Sequence, residues 1–245
     1  MGLEVLLLGV IVFCGYSVGS AMGFGASLIS VTLAANFLPI DFIVPTLVPF
    51  NIAVSAYLVI RHRHEVKRDL FFRRILPWAG LGMPFGLAVF TLAETDHHKW
   101  AFGAFVFVLS SLELVRLLRR REAPLRPLPG GLARVFLFGG GFIQGLWVSG
   151  GPLVAYWAAR EIERKENFRA TLAALWMVLN SGLLIGHLAT GKLVAANLRV
   201  VGVLLPVLAL AVAVGEWLHP RIPERSFRIT VYVLLAAAGL SIILR

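Results

Sequence analysis

The chain has 245 residues, of which 58% are hydrophobic and only 15% charged. Soluble domains carry roughly a quarter charged residues, so a soluble globule of this length could not cover its own surface with polar groups. The 23 Lys and Arg against 13 Asp and Glu give a formal charge of +10. These bases fall in short runs between long apolar stretches, not along one polar face, which excludes a nucleic-acid module and makes the charge a record of membrane threading. The single cysteine, Cys14, lies in an apolar run and excludes a disulfide framework or a cysteine-based metal site. The composition is that of a polytopic membrane protein with the lipid bilayer as its surroundings.

A bilayer core of ~30 Å needs about 20 apolar residues as helix. Segments of that kind are predicted at 3–36, 39–60, 75–93, 98–118, 132–159, 171–189, 197–217 and 226–244. No secretory signal is expected, because a basic n-region is lacking and Glu4 precedes the first apolar run. The first segment would be ~50 Å long as one helix, too long for an ordinary crossing. It is interrupted by Gly19-Ser20-Ala21-Met22-Gly23-Phe24-Gly25-Ala26-Ser27. The second, third and fourth segments read as ordinary crossings. The Pro- and Gly-rich stretch 123–131 then reads as a linker between an N-terminal half, 1–122, and a C-terminal half, 132–245, of one transmembrane domain. The fifth segment is interrupted at Gly145-Leu146-Trp147-Val148-Ser149-Gly150-Gly151-Pro152, and the last three again read as crossings. Glycine and proline at this density break helices, and broken backbone at membrane depth survives only when buried in protein or lining a cavity. The plainer reading of Gly19 and Gly23 is a GxxxG packing pair.

Loop charge separates two threadings. If all eight segments cross once, one side holds 15 Lys and Arg and the other holds 8. If the first and fifth return to the side they entered, loops 61–74, 116–134, 160–169 and 221–228 share one face with 19, leaving 4 opposite. The second threading satisfies the positive-inside rule better. It makes the first and fifth segments re-entrant or U-shaped broken helices and puts both termini outside.

A faint internal repeat runs through the chain. Asn51 and Asn180, Pro77 and Pro206, and Gly86 and Gly215 are each 129 positions apart. The basic pairs Arg63/Lys192, Lys99/Arg228 and Arg116/Arg245 share that offset, while Gly19/Gly145 and Gly25/Gly151 are offset by 126. Each half is predicted to be a broken helix followed by three crossings. Three is odd, so the second half enters from the opposite face. The expected fold is therefore an all-α membrane domain of two inverted four-segment repeats, a plan used by many secondary transporters.

The run GSAMGFGASLISV in the first segment, GLWVSGGPLVAYWA in the fifth, and the PFN and VLN helices that follow resemble the sulfite exporter TauE/SafE family over essentially the whole chain. The resemblance implies a transporter in a prokaryotic plasma membrane, moving sulfite or a small organosulfur anion such as a sulfonate outward. It implies no enzymatic activity and no cofactor. Ser149-Gly150-Gly151-Pro152, standing where the first half has a GFG run, departs from internal symmetry.

A helix that restarts at the midplane presents N–H groups with no intrahelical partner, and these with the dipole form an anion site that needs no buried cation. Gly23, Phe24, Gly25, Ala26 and Ser27 are the candidates in the first half, and Ser149, Gly150, Gly151 and Pro152 in the second. Pro152 suits the first helical position, where its missing N–H costs nothing. Asn51 and Asn180 carry carboxamides that need partners in hydrocarbon, either the ligand or backbone freed by the breaks. The expected partner is a small anion, and a homodimer is compatible with the sequence. Glu113/Arg116, Glu216 and the external group Glu94, Asp96, His97 and His98 read as ordinary helix-end charges, and His187 as a hydrogen-bonded or snorkelling residue. Two competing functions are an intramembrane serine protease using Ser149 with His187, in which Trp147 stands where a GxSG motif has its first glycine, and a passive anion channel or scaffold.

Overall fold

Glycine placement decides how this chain packs. The computed structural model describes residues 2–92, 95–119, 127–218 and 224–244, and among them no strand occurs. In chain order the helices are α1 (Gly2–Met22), α2 (Ala26–Ala34), α3 (Ile40–His62), the single turn α4 (Arg68–Leu70), α5 (Leu76–Leu92), α6 (Thr95–Arg119), α7 (Gly130–Trp147), α8 (Gly151–Glu161), α9 (Lys165–Ala189), α10 (Ala195–Leu218) and α11 (Glu224–Ile243). A π-helical turn, Phe71–Ile75, joins α4 to α5.

Among the described residues six helices are long and apolar enough to cross a membrane: Glu4–Met22, Ile40–Arg61, Arg68–Leu92, His98–Arg119, Lys165–Ala189 and Ala195–Leu218. The span ending at Leu92 starts inside what the sequence marks as a basic loop. Phe71 and Ile75 are the reason, because both turn into a buried cluster with Leu137 and Trp157 while Arg73 stays outside. α11 is 20 residues long, and its apolar stretch is Val231–Ile243. α1, in contrast, reaches crossing length before Gly23, the first left-handed glycine after it. The linker 123–131 lies partly outside the described residues, as do Glu94, the side chains of Asp96 and His97, and the repeat partner Arg245. His98, placed by the sequence in an external turn, is instead buried in the first turn of α6, with Nε2 3.1 Å from the Phe90 carbonyl.

α5 and α7 run side by side in the same direction and touch backbone to backbone. A Cβ added at Gly82 would lie 2.1 Å from the Phe138 carbonyl oxygen, and one at Gly86 1.9 Å from that of Phe142. The contact is reciprocal, with Gly141 facing Ala79 and Gly145 facing Met83 at 1.9 and 2.1 Å. Lipid tails are as apolar as leucine, so helix association in a membrane comes from this close packing and not from hydrophobic exclusion. α1 lies parallel to α10 in the same manner, with Gly9 against Leu204 and Gly215 against Ser17 and Ala21. α6 and α11 are antiparallel, meeting where Gly103 approaches Gly239 and Ile242.

α3 is the innermost span, with 61% of its apolar window buried against 28% for the spans of α5 and α6. The outward faces of those two helices carry Leu81, Phe85, Val108 and Leu112, which hydrocarbon would cover. The glycine seam makes a direct prediction. Gly86→Ala forces a methyl into backbone and should destabilise by about 1–3 kcal/mol. Gly139→Ala, one position from the seam with open space around it, should be neutral or slightly stabilising through helix propensity. Thermal unfolding of the two variants in detergent checks the pair, and equal melting temperatures would contradict the packing.

Candidate functional site

The first apolar segment leaves helical geometry after Met22. Gly23 and Gly25 have φ of +81° and +91°, values open to glycine at little cost. α2 then runs back along α1, with Gly19 against Ala26 and Gly15 against Ser30. Gly19 thus packs within its own hairpin, while Gly23 belongs to the turn. Ile29 N–H bonds the Gly25 carbonyl at 3.0 Å, and the N–H groups of the preceding turn remain without helical partners. In the fifth segment α7 ends at Trp147, and α8 starts at Gly151 with Pro152 in its first turn. Between them Val148 has φ +56°. A β-branched residue in this region costs on the order of 1–3 kcal/mol and persists only where its surroundings impose it.

Those surroundings are a carboxamide relay. Gln144 Oε1 accepts from the Gly150 N–H at 3.1 Å, Gln144 Nε2 donates to Asn180 Oδ1 at 3.1 Å, and Asn180 Nδ2 donates to the Trp176 carbonyl at 2.7 Å. The backbone of the second break is therefore held from α9. Ser149 Oγ donates to the Trp147 carbonyl at 2.9 Å. His187 packs edge-on to Phe90, and neither of its nitrogens has a hydrogen-bond partner, so no Ser149–His187 pair exists.

The two breaks meet. A Cβ on Gly151 would lie 3.6 Å from the Gly25 nitrogen and from the Phe24 Cβ. Around this junction is a cavity of about 60 Å³. One water needs only about 10–15 Å³ by this measure, so the space suits a compact group of a few heavy atoms. Gly23, Phe24, Gly25, Ala26, Ser27, Asn51, Ser149, Gly151, Pro152 and Asn180 all line it, so the structure gathers these sequence candidates at one place. Gly150 is the exception, because it turns toward α7 and lies against the Gly140 carbonyl. Tyr16 and Gln144 also line the cavity. Tyr16, buried in a plain apolar stretch, gave no sequence signal.

The two asparagines differ. Asn51 Oδ1 accepts from Tyr16 at 2.8 Å and from Ser27 at 2.9 Å, while its Nδ2 is buried with no partner. Both donors fix the amide with its N–H2 turned away from them, in a residue only 7% exposed that lines the cavity. Asn180, in contrast, has both ends of its carboxamide engaged by protein.

Arg169, which the sequence assigns to a loop, is buried near the start of α9. It bonds the Ser20 carbonyl at 2.7 Å and pairs with Glu216, and its stem packs on Gly23. A cation here faces the last carbonyls of α1, where the helix dipole is negative. Arg61 also approaches Glu216, at 3.9 Å. Nothing in the spacing of 160–169 distinguishes Arg169 from its solvated neighbours.

Among the described residues, six membrane-length apolar helices with a polar junction buried among them define a polytopic α-helical membrane protein. The chain belongs to the sulfite exporter TauE/SafE family, whose family model matches residues 7–242. No curated protein and no solved structure matches it. Members of this family are transporters, not enzymes, so a small anionic substrate and a membrane setting follow from membership.

The relay can be tested on its own. Gln144→Leu removes the acceptor of a buried N–H and the partner of Asn180, and should lower stability by about 1–3 kcal/mol. Thermal unfolding in detergent reads the effect; an unchanged midpoint would mean the second break is held by something else.

Proposed function

We propose that the protein is a secondary transporter exporting a small oxyanion, sulfite or a small sulfonate, which binds where the breaks between α1 and α2 and between α7 and α8 meet. The observation that carries this reading is the buried, unpartnered Asn51 Nδ2, in a residue that lines the cavity together with the N-terminus of α2. Neutral donors and a helix dipole stabilise an anion there without the cost of an isolated cation in hydrocarbon. In this reading Asn51 contacts substrate, and Asn180 with Gln144 holds the second break.

The two halves form inverted repeats, each a broken helical hairpin followed by three crossings, with the basic loops on the inner face and both termini outside. Helix pairing supports this: α1 packs on α10 as α7 packs on α5, the arrangement produced by exchanging the halves. The cavity takes its α3 residues from Asn51 to Leu58, toward the basic end of that helix, so the site is nearest the cytoplasmic side. Alternating access then follows from rocking the paired hairpins around the fixed junction.

Flux of radiolabelled sulfite in proteoliposomes tests the proposal. Wild-type protein should give saturable flux that accelerates when sulfite is present on the opposite side. Asn51→Leu should weaken transport about tenfold or more, the loss of one hydrogen bond to a charged ligand, while its stability falls by about 1–3 kcal/mol, as for Gln144→Leu, because the Tyr16 and Ser27 hydroxyls lose their acceptor. Absence of flux in wild type with sulfite and sulfonates would overturn the function, whereas full activity in Asn51→Leu would overturn the site.

A further inference from the structure

Among the described residues, every one that lines the central cavity is uncharged. Its polar groups are the carboxamides of Asn51, Gln144 and Asn180, the Tyr16 phenol and serine hydroxyls. Charges that come close to it are engaged with one another. Arg169, whose stem packs on Gly23, pairs with Glu216, and the exposed Arg61 approaches the same carboxylate at 3.9 Å. Phe24 and Pro152 also line a second cavity, where Glu113 accepts from Arg116 at 3.0 Å.

The number of charges on an ion decides whether a pocket of this kind can hold it. The cost of taking an ion out of water grows with the square of its charge, whereas its attraction to fixed dipoles grows only in proportion. A second negative charge therefore raises the cost about fourfold and the attraction about twofold. A guanidinium or ammonium in the pocket would offset that second charge, and no lining residue supplies one. The volume of about 60 Å³ sets a further limit of a few heavy atoms.

We propose that the central site selects monovalent oxyanions, namely hydrogensulfite (the singly protonated form of sulfite) and small sulfonates, over the sulfite dianion and sulfate. The inference rests on the transport reading above. Hydrogensulfite holds three oxygens on one sulfur with a single negative charge, so both its size and its charge suit a neutral pocket. The buried, unpartnered Asn51 Nδ2 and the first turn of α2 donate to its oxygens. Its own proton finds an acceptor among the lining hydroxyls, which accept as well as donate. The proton then crosses on the substrate. No carboxylate is among the lining residues, and none is required, because hydrogensulfite released outside dissociates in water to the sulfite dianion and a proton.

Proteoliposomes loaded with a pH-sensitive dye test this, with radiolabelled sulfite and radiolabelled methanesulfonate as probes. Methanesulfonate stays monovalent at every pH used, so it reports any effect of pH on the protein itself. Above the pH at which sulfite loses its last proton, each further unit should raise the KM for total sulfite about tenfold, as the monovalent form is depleted. The KM for methanesulfonate should stay within about twofold over the same range, and sulfate should compete at least about a hundredfold more weakly than methanesulfonate. Sulfite entry, corrected for protein-free vesicles, should acidify the interior as the arriving anion sheds its proton, and methanesulfonate should leave it unchanged. A KM for sulfite that does not move with pH would overturn the selection. So would sulfate competing as well as methanesulfonate, or an interior that turns alkaline as a dianion takes up protons. Absence of flux for both labelled anions would instead remove the transport reading beneath it.

Discussion

Backbone that leaves a helix inside hydrocarbon must find partners for its N–H and C=O groups within the protein, and this constraint shapes the whole molecule. The second break illustrates it: the Gly150 N–H has no helical partner, and Gln144 supplies one only because Asn180 holds the far end of its carboxamide. That relay requires α9 beside α7, and the approach of α5 to α7 requires glycine at Gly82, Gly86, Gly141 and Gly145. A polar requirement measured in single hydrogen bonds thus reaches outward into the packing of whole helices. The first break meets the same need with fewer side chains, and the Asn51 amide nitrogen is left buried without a partner beside the cavity.

This difference between the breaks separates residues that the repeat makes look equivalent. Asn51 and Asn180 are 129 positions apart and both lie deep in a helix packed on a break. Tyr16 and Ser27 engage only the oxygen of the first amide and leave its buried nitrogen without a partner, whereas Gln144 and Trp176 engage both ends of the second. The charged groups divide in a parallel way. Arg169 with Glu216 serves the end of α1, Arg116 paired with Glu113 borders an outer cavity, and the junction itself is lined by uncharged groups. In the proposed transport reading, an anion at the junction is met by dipoles and amides and not by full charges.

Much of the site was legible in the sequence because glycine and proline carry a local meaning. Gly23, Gly25 and Pro152 announce breaks through backbone chemistry alone, and the carboxamides of Asn51 and Asn180 stand out against apolar neighbours. Most spans were legible to within a turn where an apolar run ends in charge, but α9 starts at Lys165, ahead of the expected 171, with Arg169 buried in its second turn. The basic stretch before α5 was not, because Phe71 and Ile75 are buried through long-range contacts that periodicity over a few residues does not register. Arg169, Tyr16 and His98 escaped for a related reason: their roles depend on partners 149, 35 and 8 positions away. Gly150 lines the seam with α7 instead of the cavity because its neighbour Val148, not a glycine, adopts the left-handed turn.

The central claim is that an oxyanion rests on uncharged donors at the meeting of the two breaks. The most direct measurement is an experimental structure with selenite, located by anomalous scattering at the selenium edge. The account predicts a peak whose oxygens lie about 3 Å from Asn51 Nδ2 and from a first-turn N–H of α2. Selenium found only among the arginines of the inner loops, with the junction empty, would contradict it.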